Sequence, residues 1–193
     1  MVAALDLFSD GGARSVTHRA VAAAAGVPAA TVGYYFGSID ELMYRSFEEH
    51  FARWIQELGA YVRPDGSEHT LDDLLDFLGL SSDAEIRTSH VRMTRLFLAA
   101  SDDERLRPLV AESVLAVEGA IEALLRRLRV NRPRDTAQVV ATMTGGCALR
   151  LSASRGNVSE EDTDRMRRAI YQVVTAAMLP DDVVEATRRS LGL

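Results

Sequence analysis

The feature that most restricts what this chain can become is the stretch of residues 15–42, SVTHRAVAAAAGVPAATVGYYFGSIDEL. Its punctuation predicts two short helices joined by a tight turn, then the capped start of a third. Thr17 is placed to N-cap the first of the pair, its hydroxyl accepting from a backbone N–H that the helix leaves unpaired. Residues 18–25 are mostly alanine, with Val21 and Ala22 as the apolar contacts. Gly26 stands where a left-handed residue ends a helix. Pro28 has no N–H to lose, so it suits the first turn of the next helix, whose inward positions are Val32 and Phe36. Gly37-Ser38 interrupts that helix, Ser38 with Glu41 reads as an S-x-x-E capping box, and Leu42 opens the apolar stripe that follows.

Two helices of about eight to ten residues around a glycine-containing turn make a helix-turn-helix. The string Gly12, Thr17, Val21-Ala22, Ala25-Gly26-Val27, Thr31, Tyr35-Phe36, Ser38, Leu42 resembles the DNA-binding domain of the TetR family of bacterial transcriptional regulators. The other reading of the stretch is an alanine-rich helical hairpin inside an unrelated bundle. The resemblance implies an all-α chain in which residues 1–45 form a three-helix DNA-binding domain. Residues 46–193 then form a larger helical domain for effector binding and dimerisation. It also implies a homodimeric repressor on a double-stranded DNA operator, released by a small-molecule effector and needing no cofactor.

Composition is compatible with this and adds one discrepancy. At 193 residues with 47% hydrophobic and 26% charged side chains, the chain can build a sizeable core. No apolar run approaches the ~18 residues of a membrane span, and residues 1–12 lack the basic start of a signal peptide. A soluble cytoplasmic protein is expected. The single cysteine, Cys147, can form no intrachain disulfide and reads as a small buried apolar side chain. All 22 basic residues are arginine, yet the net charge is −6, unlike a protein that holds nucleic acid by bulk attraction. Within residues 1–45, Arg14, Arg19 and Arg45 face Asp6, Asp10, Asp40 and Glu41. The first helix, residues 2–9 ahead of Gly11-Gly12, reads as cut short, as a start codon assigned too late would leave it.

Beyond residue 38 the helical period dominates. A long helix to about residue 62 has Phe47, Phe51, Trp54, Ile55, Leu58 and Tyr61 on its apolar side, and residues 63–67 form a turn. Thr70 caps a helix with Leu71, Leu74, Leu75 and Leu78 inside, and residues 83–100 form another with Ile86, His90, Met93 and Phe97 on one face. Ser101 to Glu104 reads as the start of a helix of some 25 residues that tolerates Pro108. Its core face is Leu109, Val110, Val114, Val117, Ile121, Leu124 and Leu128. Two further long helices, about 134–153 and 159–178, and a short one from Pro180 complete the chain, with Ser159 and Asp162 capping the second. No strand pattern occurs.

On the predicted recognition helix the outward residues are Ala29, Ala30, Thr31, Gly33 and Tyr34. None makes the bidentate arginine–guanine or asparagine–adenine contact that discriminates bases strongly, so methyl contacts, shape and half-site spacing carry more of the specificity. Tyr34 and Tyr35 offer hydroxyls to phosphates, or pack on the helix. Thr17, His18 and Arg19 stand at a helix N-terminus, which also suits phosphate. Ile39 replaces the lysine common in the family.

For the effector, the resemblance places a pocket between the long fourth helix and the later bundle. Its candidates are Phe51, Trp54, Leu58, Phe77, His90, Met93, Phe97, Val117 and Met143, a stripe equally readable as plain core. His90 is either a hydrogen-bonded core histidine or a polar anchor. The family pairs through its last two long helices, which here gives Val140, Thr144, Gly145, Ala148, Ile170, Val173 and Ala177 as interface candidates, or intrachain core on another face. The histidines lack metal-ligand spacing, so neither a metal site nor a catalytic residue is expected. Two other classes stay open. One is a helical enzyme using Asp83, Glu85 or Asp102, although no E-x-x-H pair occurs and capping explains those acids. The other is a helical sensor or interaction protein with weak or no DNA binding.

Overall fold

The computed structural model describes residues 1–62, 70–153 and 160–192. Among these every regular element is helical, as expected. The order is α1 Val2–Gly11, a 3-10 turn Ala13–Ser15, α2 His18–Ala25, α3 Ala29–Tyr35, α4 Ile39–Val62, α5 Leu71–Phe77 and α6 Ala84–Asp102. There follow α7 Arg107–Arg127, α8 Pro133–Ala153, α9 Glu160–Ala176 and α10 Asp181–Leu191. The turn expected at 63–67 and the cap at Ser159 lie outside the described residues.

The N-terminal elements form as their punctuation dictates. Thr17 accepts from the Ala20 N–H at 3.1 Å, and Gly26 takes the left-handed conformation (φ 67°, ψ 29°) that closes α2. Pro28 is the residue before α3 rather than its first helical residue. Ser38 accepts from the Glu41 N–H, but the Glu41 carboxylate accepts from Gly37 N–H, one residue earlier than a capping box requires. The three helices enclose Ala4, Val16, Val21, Ala22, Val32 and Leu42.

A second core joins this headpiece to the rest. Leu5 of α1, Phe47 and Phe51 of α4, Leu96 and Ala100 of α6 and Leu106 are buried together. Four rings run through it in sequence. Phe8 meets Phe47 edge-on at 5.6 Å, Phe47 stacks with Phe51 at 6.2 Å, and Phe51 meets Phe97 edge-on at 4.8 Å. The largest core collects Leu58, Leu74, Leu75, Leu80, Ile121, Leu125, Val140 and Ile170 from α4 to α9. Arg167 of α9 pins α5 to it, donating to the Asp72 and Asp76 carboxylates and, at 2.6 Å, to the Leu80 carbonyl.

Three expectations fail in the middle of the chain. Residues 101 and 102 end α6 and residues 103–106 form a turn before α7, in which the Asp103 carboxylate accepts from the Arg105 backbone and guanidinium. Pro108 then sits in the first turn of α7, where its missing N–H costs nothing. The inner face of α7 is Ser113, Ala120, Ile121, Leu124 and Leu125, while Val114 and Leu128 are exposed. Ser113 tolerates burial by donating to the Leu109 carbonyl at 2.9 Å. Ile86 is exposed too, so the inward face of α6 begins at His90.

Candidate nucleic-acid interface and ligand cavity

Val32 anchors α3 inward, and the half-buried Phe36 follows at its end. Everything else on the helix turns out: Ala29, Ala30, Gly33, Tyr34 and Tyr35 are exposed and Thr31 is half-exposed. Tyr34 and Tyr35 keep 84% and 69% of their surface open, ring edge to ring face at 5.3 Å, so neither packs on the headpiece. At the start of α2, Thr17 and Arg19 are exposed, but the His18 ring is half-buried and its Nε2 is sealed from solvent. A phosphate at this helix N-terminus would therefore meet the backbone N–H groups there rather than the His18 Nε2. Arg14 and Arg45 add exposed cations nearby, Arg45 at 3.6 Å from Glu48.

The second site is a cavity of about 210 Å³ among α4, α6, α7 and α8. Trp54, His90, Met93, Phe97 and Val117, all candidates for an effector pocket, line it. Phe51 and Leu58 do not; at 0% and 1% exposure they are core behind the wall. Met143 packs on the large core beside the cavity, and the Phe77 side chain lies outside the described residues. Sequence reasoning missed Leu78, Thr94, Val114 and Ala141 in the lining. It also assigned Thr144, Gly145 and Ala148 to a subunit interface, whereas in this chain they line the cavity. Small side chains on α8 leave space as readily as they allow close helix approach, and spacing alone does not separate the two. Val140 and Ile170 are fully buried in their own chain, so they have no surface to offer a partner. Val173 and Ala177, half-buried, line a separate groove with Val139 and Val184.

His90 is the polar point of the cavity wall. Its ring lies 6.4 Å from that of Trp54, and its Cγ would be 2.2 Å from a β-carbon on Gly79, which holds φ +84°. Protein encloses the imidazole closely enough that desolvation lowers its pKa to about 4. Among the described residues no group hydrogen-bonds its ring nitrogens. Burial likewise pushes the Cys147 thiol up, in keeping with an inert side chain. Among the described residues no His/Cys/Asp/Glu cluster is arranged to hold a metal, and no helix is long and apolar enough to cross a membrane.

An exposed helix-turn-helix on one small core and a half-open cavity in a larger one are the parts of a transcriptional regulator that binds DNA and ligand. The chain belongs to the TetR family. Residues 1–45 match the family of bacterial regulatory proteins of the tetR type, and residues 65–180 match the tetracyclin repressor-like C-terminal domain. These are DNA-binding regulators, not enzymes. The fold is shared with a transcriptional regulator from Rhodococcus sp. Rha1 (18% identity, TM-score 0.66), covering 93% of this chain and 96% of that one. The multidrug binding protein EbrR complexed with malachite green is 26% identical, with TM-score 0.57 over 89% of this chain and 94% of that one. A TetR family member from Streptomyces coelicolor A3 is 27% identical, with TM-score 0.59 over 89% and 94%. No curated protein sequence matches the chain.

Proposed function

We propose that this protein is a cytoplasmic homodimeric repressor whose hold on an operator is released when a small molecule enters the cavity beside Trp54. The observation that carries the reading is continuity. The ring row Phe8–Phe47–Phe51–Phe97 begins on α1 in the headpiece and ends on the cavity wall. A body that fills the cavity presses on Phe97, and the core behind it is close-packed and has little room to absorb the displacement locally. Release then depends on the effector binding the DNA-free arrangement more tightly than the DNA-bound one. EbrR, complexed with malachite green and with ethidium, supports a ligand site on this fold.

Residues 1–45 serve as the DNA-binding part and residues 46–193 as the effector and pairing part. A single short helix with no base-reading arginine selects a site weakly, so two copies on two half-sites are required. The outer faces of α8 and α9 supply the pairing surface, with Val139 and Leu149 exposed and Val173 and Ala177 at the groove. Thr17, Arg19, Tyr34 and Tyr35 grip phosphates, while Ala29, Ala30, Thr31 and Gly33 meet the base edges.

The test is a gel shift against the chain's own upstream region across a salt series, with sedimentation to give the assembly. Affinity that falls steeply with salt and a dimer on DNA support the reading. Retention at high salt, or a monomer on DNA, defeats it. The second reading, a sensor with weak or no DNA binding, draws on the three arginines against four acids in residues 1–45. It predicts no shift at any salt.

A further inference from the structure

The cavity wall says more about its occupant than that one exists. Trp54, Leu78, Met93, Phe97, Val117 and Ala141 present carbon surface, and among the described residues no Asp, Glu or Arg lines it. The two wall threonines are committed to their own helices: Thr94 donates to the His90 carbonyl at 3.0 Å and Thr144 to the Ala141 carbonyl at 2.9 Å. Among the described residues the His90 imidazole is a wall side chain whose ring nitrogens meet no hydrogen-bonding partner in the protein. A buried polar group without a partner is costly, and a ligand group that meets it recovers that cost. An organic cation brought here meets no carboxylate among the described wall residues and has only the faces of Trp54 and Phe97 to offset the hydration it loses. Size limits the occupant as well. Roughly 150 Å³ accommodates benzene, so a cavity of about 210 Å³ holds a single substituted ring, and a larger body extends through its open side.

Resting on the reading of this cavity as the effector site, we infer that its ligand is a neutral monocyclic arene, or an apolar body of that size, bearing one hydrogen-bonding group that meets His90. Organic cations, which find no carboxylate among the described wall residues, bind it less tightly. The imidazole, uncharged at neutral pH, can either donate or accept toward such a group.

Calorimetry on the full chain with three size-matched probes tests this. The probes are 4-ethylphenol (neutral, with a hydroxyl), ethylbenzene (neutral, without one) and benzyltrimethylammonium (cationic). The expected order is 4-ethylphenol tighter than ethylbenzene by about 10-fold, with the cation at least 100-fold weaker than the phenol. In His90→Leu the ratio between the two neutral arenes falls to about 1, and His90→Gln restores part of it. Cation binding as tight as the phenol, an unchanged arene ratio in His90→Leu, or no binding of either arene overturns the inference. Should His90→Leu fail to fold, the order among the three probes on the wild-type chain still decides. A gel shift with each probe separates this from the broader reading. Phenol binding without DNA release defeats effector control alone, whereas release by the cation defeats the ligand class alone.

Discussion

The Arg95 guanidinium on α6 donates to the backbone carbonyl of Ser9 on α1 across 2.9 Å. Ser9 lies in the last turn of α1, where carbonyls have no helical partner and a cation also suits the dipole. One turn away Arg92 lies 3.9 Å from Asp6 and 3.8 Å from Asp10. The same helix presents His90, Met93, Thr94 and Phe97 to the cavity, so α6 touches the cavity and the headpiece at once, in parallel with α4.

Arg95→Ala should therefore do two things. It should destabilise the fold by about 1–2 kcal/mol, the typical effect of losing a charge-assisted hydrogen bond. It should also reduce the concentration-dependent release of DNA by a bound arene at least several-fold while arene affinity itself holds. Thermal melts with gel shifts at fixed arene occupancy measure both, and release unchanged from wild type would show α4 acting alone.

Arg19→Ala and Tyr35→Phe should weaken DNA binding equally for all sequences, because both side chains stand off the base-reading face. The arginine change should flatten the log affinity against log salt plot by about one unit, the contribution of one phosphate contact. A selection from random DNA before and after the change checks it, and an altered consensus would reassign Arg19 to base contact.

Gly79→Ala should cost at least about 2 kcal/mol, since alanine at φ +84° is strained and its β-carbon collides with His90. Denaturant unfolding gives the number. His90→Ala in the same chain should return part of the loss by opening the space, whereas additive losses would place the strain wholly in the backbone.

Stability should decline on mild acidification. Burial holds the pKa of His90 at about 4 and lowers that of His50, where Arg53 adds to the effect. The unfolded chain, with histidines near 6.5, takes up protons first as pH falls. The stability these groups contribute is thus full above about 6.5 and is lost as pH drops toward 4. Melting temperature followed from pH 7.5 to 4.5 should fall, and His90→Leu should make the slope shallower.

Arg167→Met should lower stability by about 1 kcal/mol, because Asp76 and the Leu80 carbonyl lose their guanidinium donor while Asp72 keeps the Tyr171 hydroxyl. Arg167→Lys should recover little, as one ammonium cannot span three acceptors in the plane a guanidinium serves. Paired urea titrations of the two variants check this.

The headpiece was legible in the sequence because its boundaries are single-residue chemistry. Thr17, Gly26 and Ser38 each do one local job that no distant packing overrides. The inner face of α7 was not, since apolar residues occupy several sides of that helix and Ser113 joins the core by bonding its own backbone. The cavity was half legible. The α6 period pointed to His90, Met93 and Phe97, but nothing local tells a small residue on α8 that leaves a hole from one that admits a second helix. The bond between Arg95 and Ser9 carries no local signature at all, being fixed by how α1 and α6 come together.

The backbone of Gly79 against the ring of His90 also limits how this regulator can diversify. A lineage that adapts to a new ligand can trade Val114, Val117, Ala141 or Ala148 singly, each exchange reshaping the space by a methyl or two. The polar anchor is different. Any side chain gained at position 79 requires position 90 to shrink in the same step, so descendants should retain both residues or replace them together.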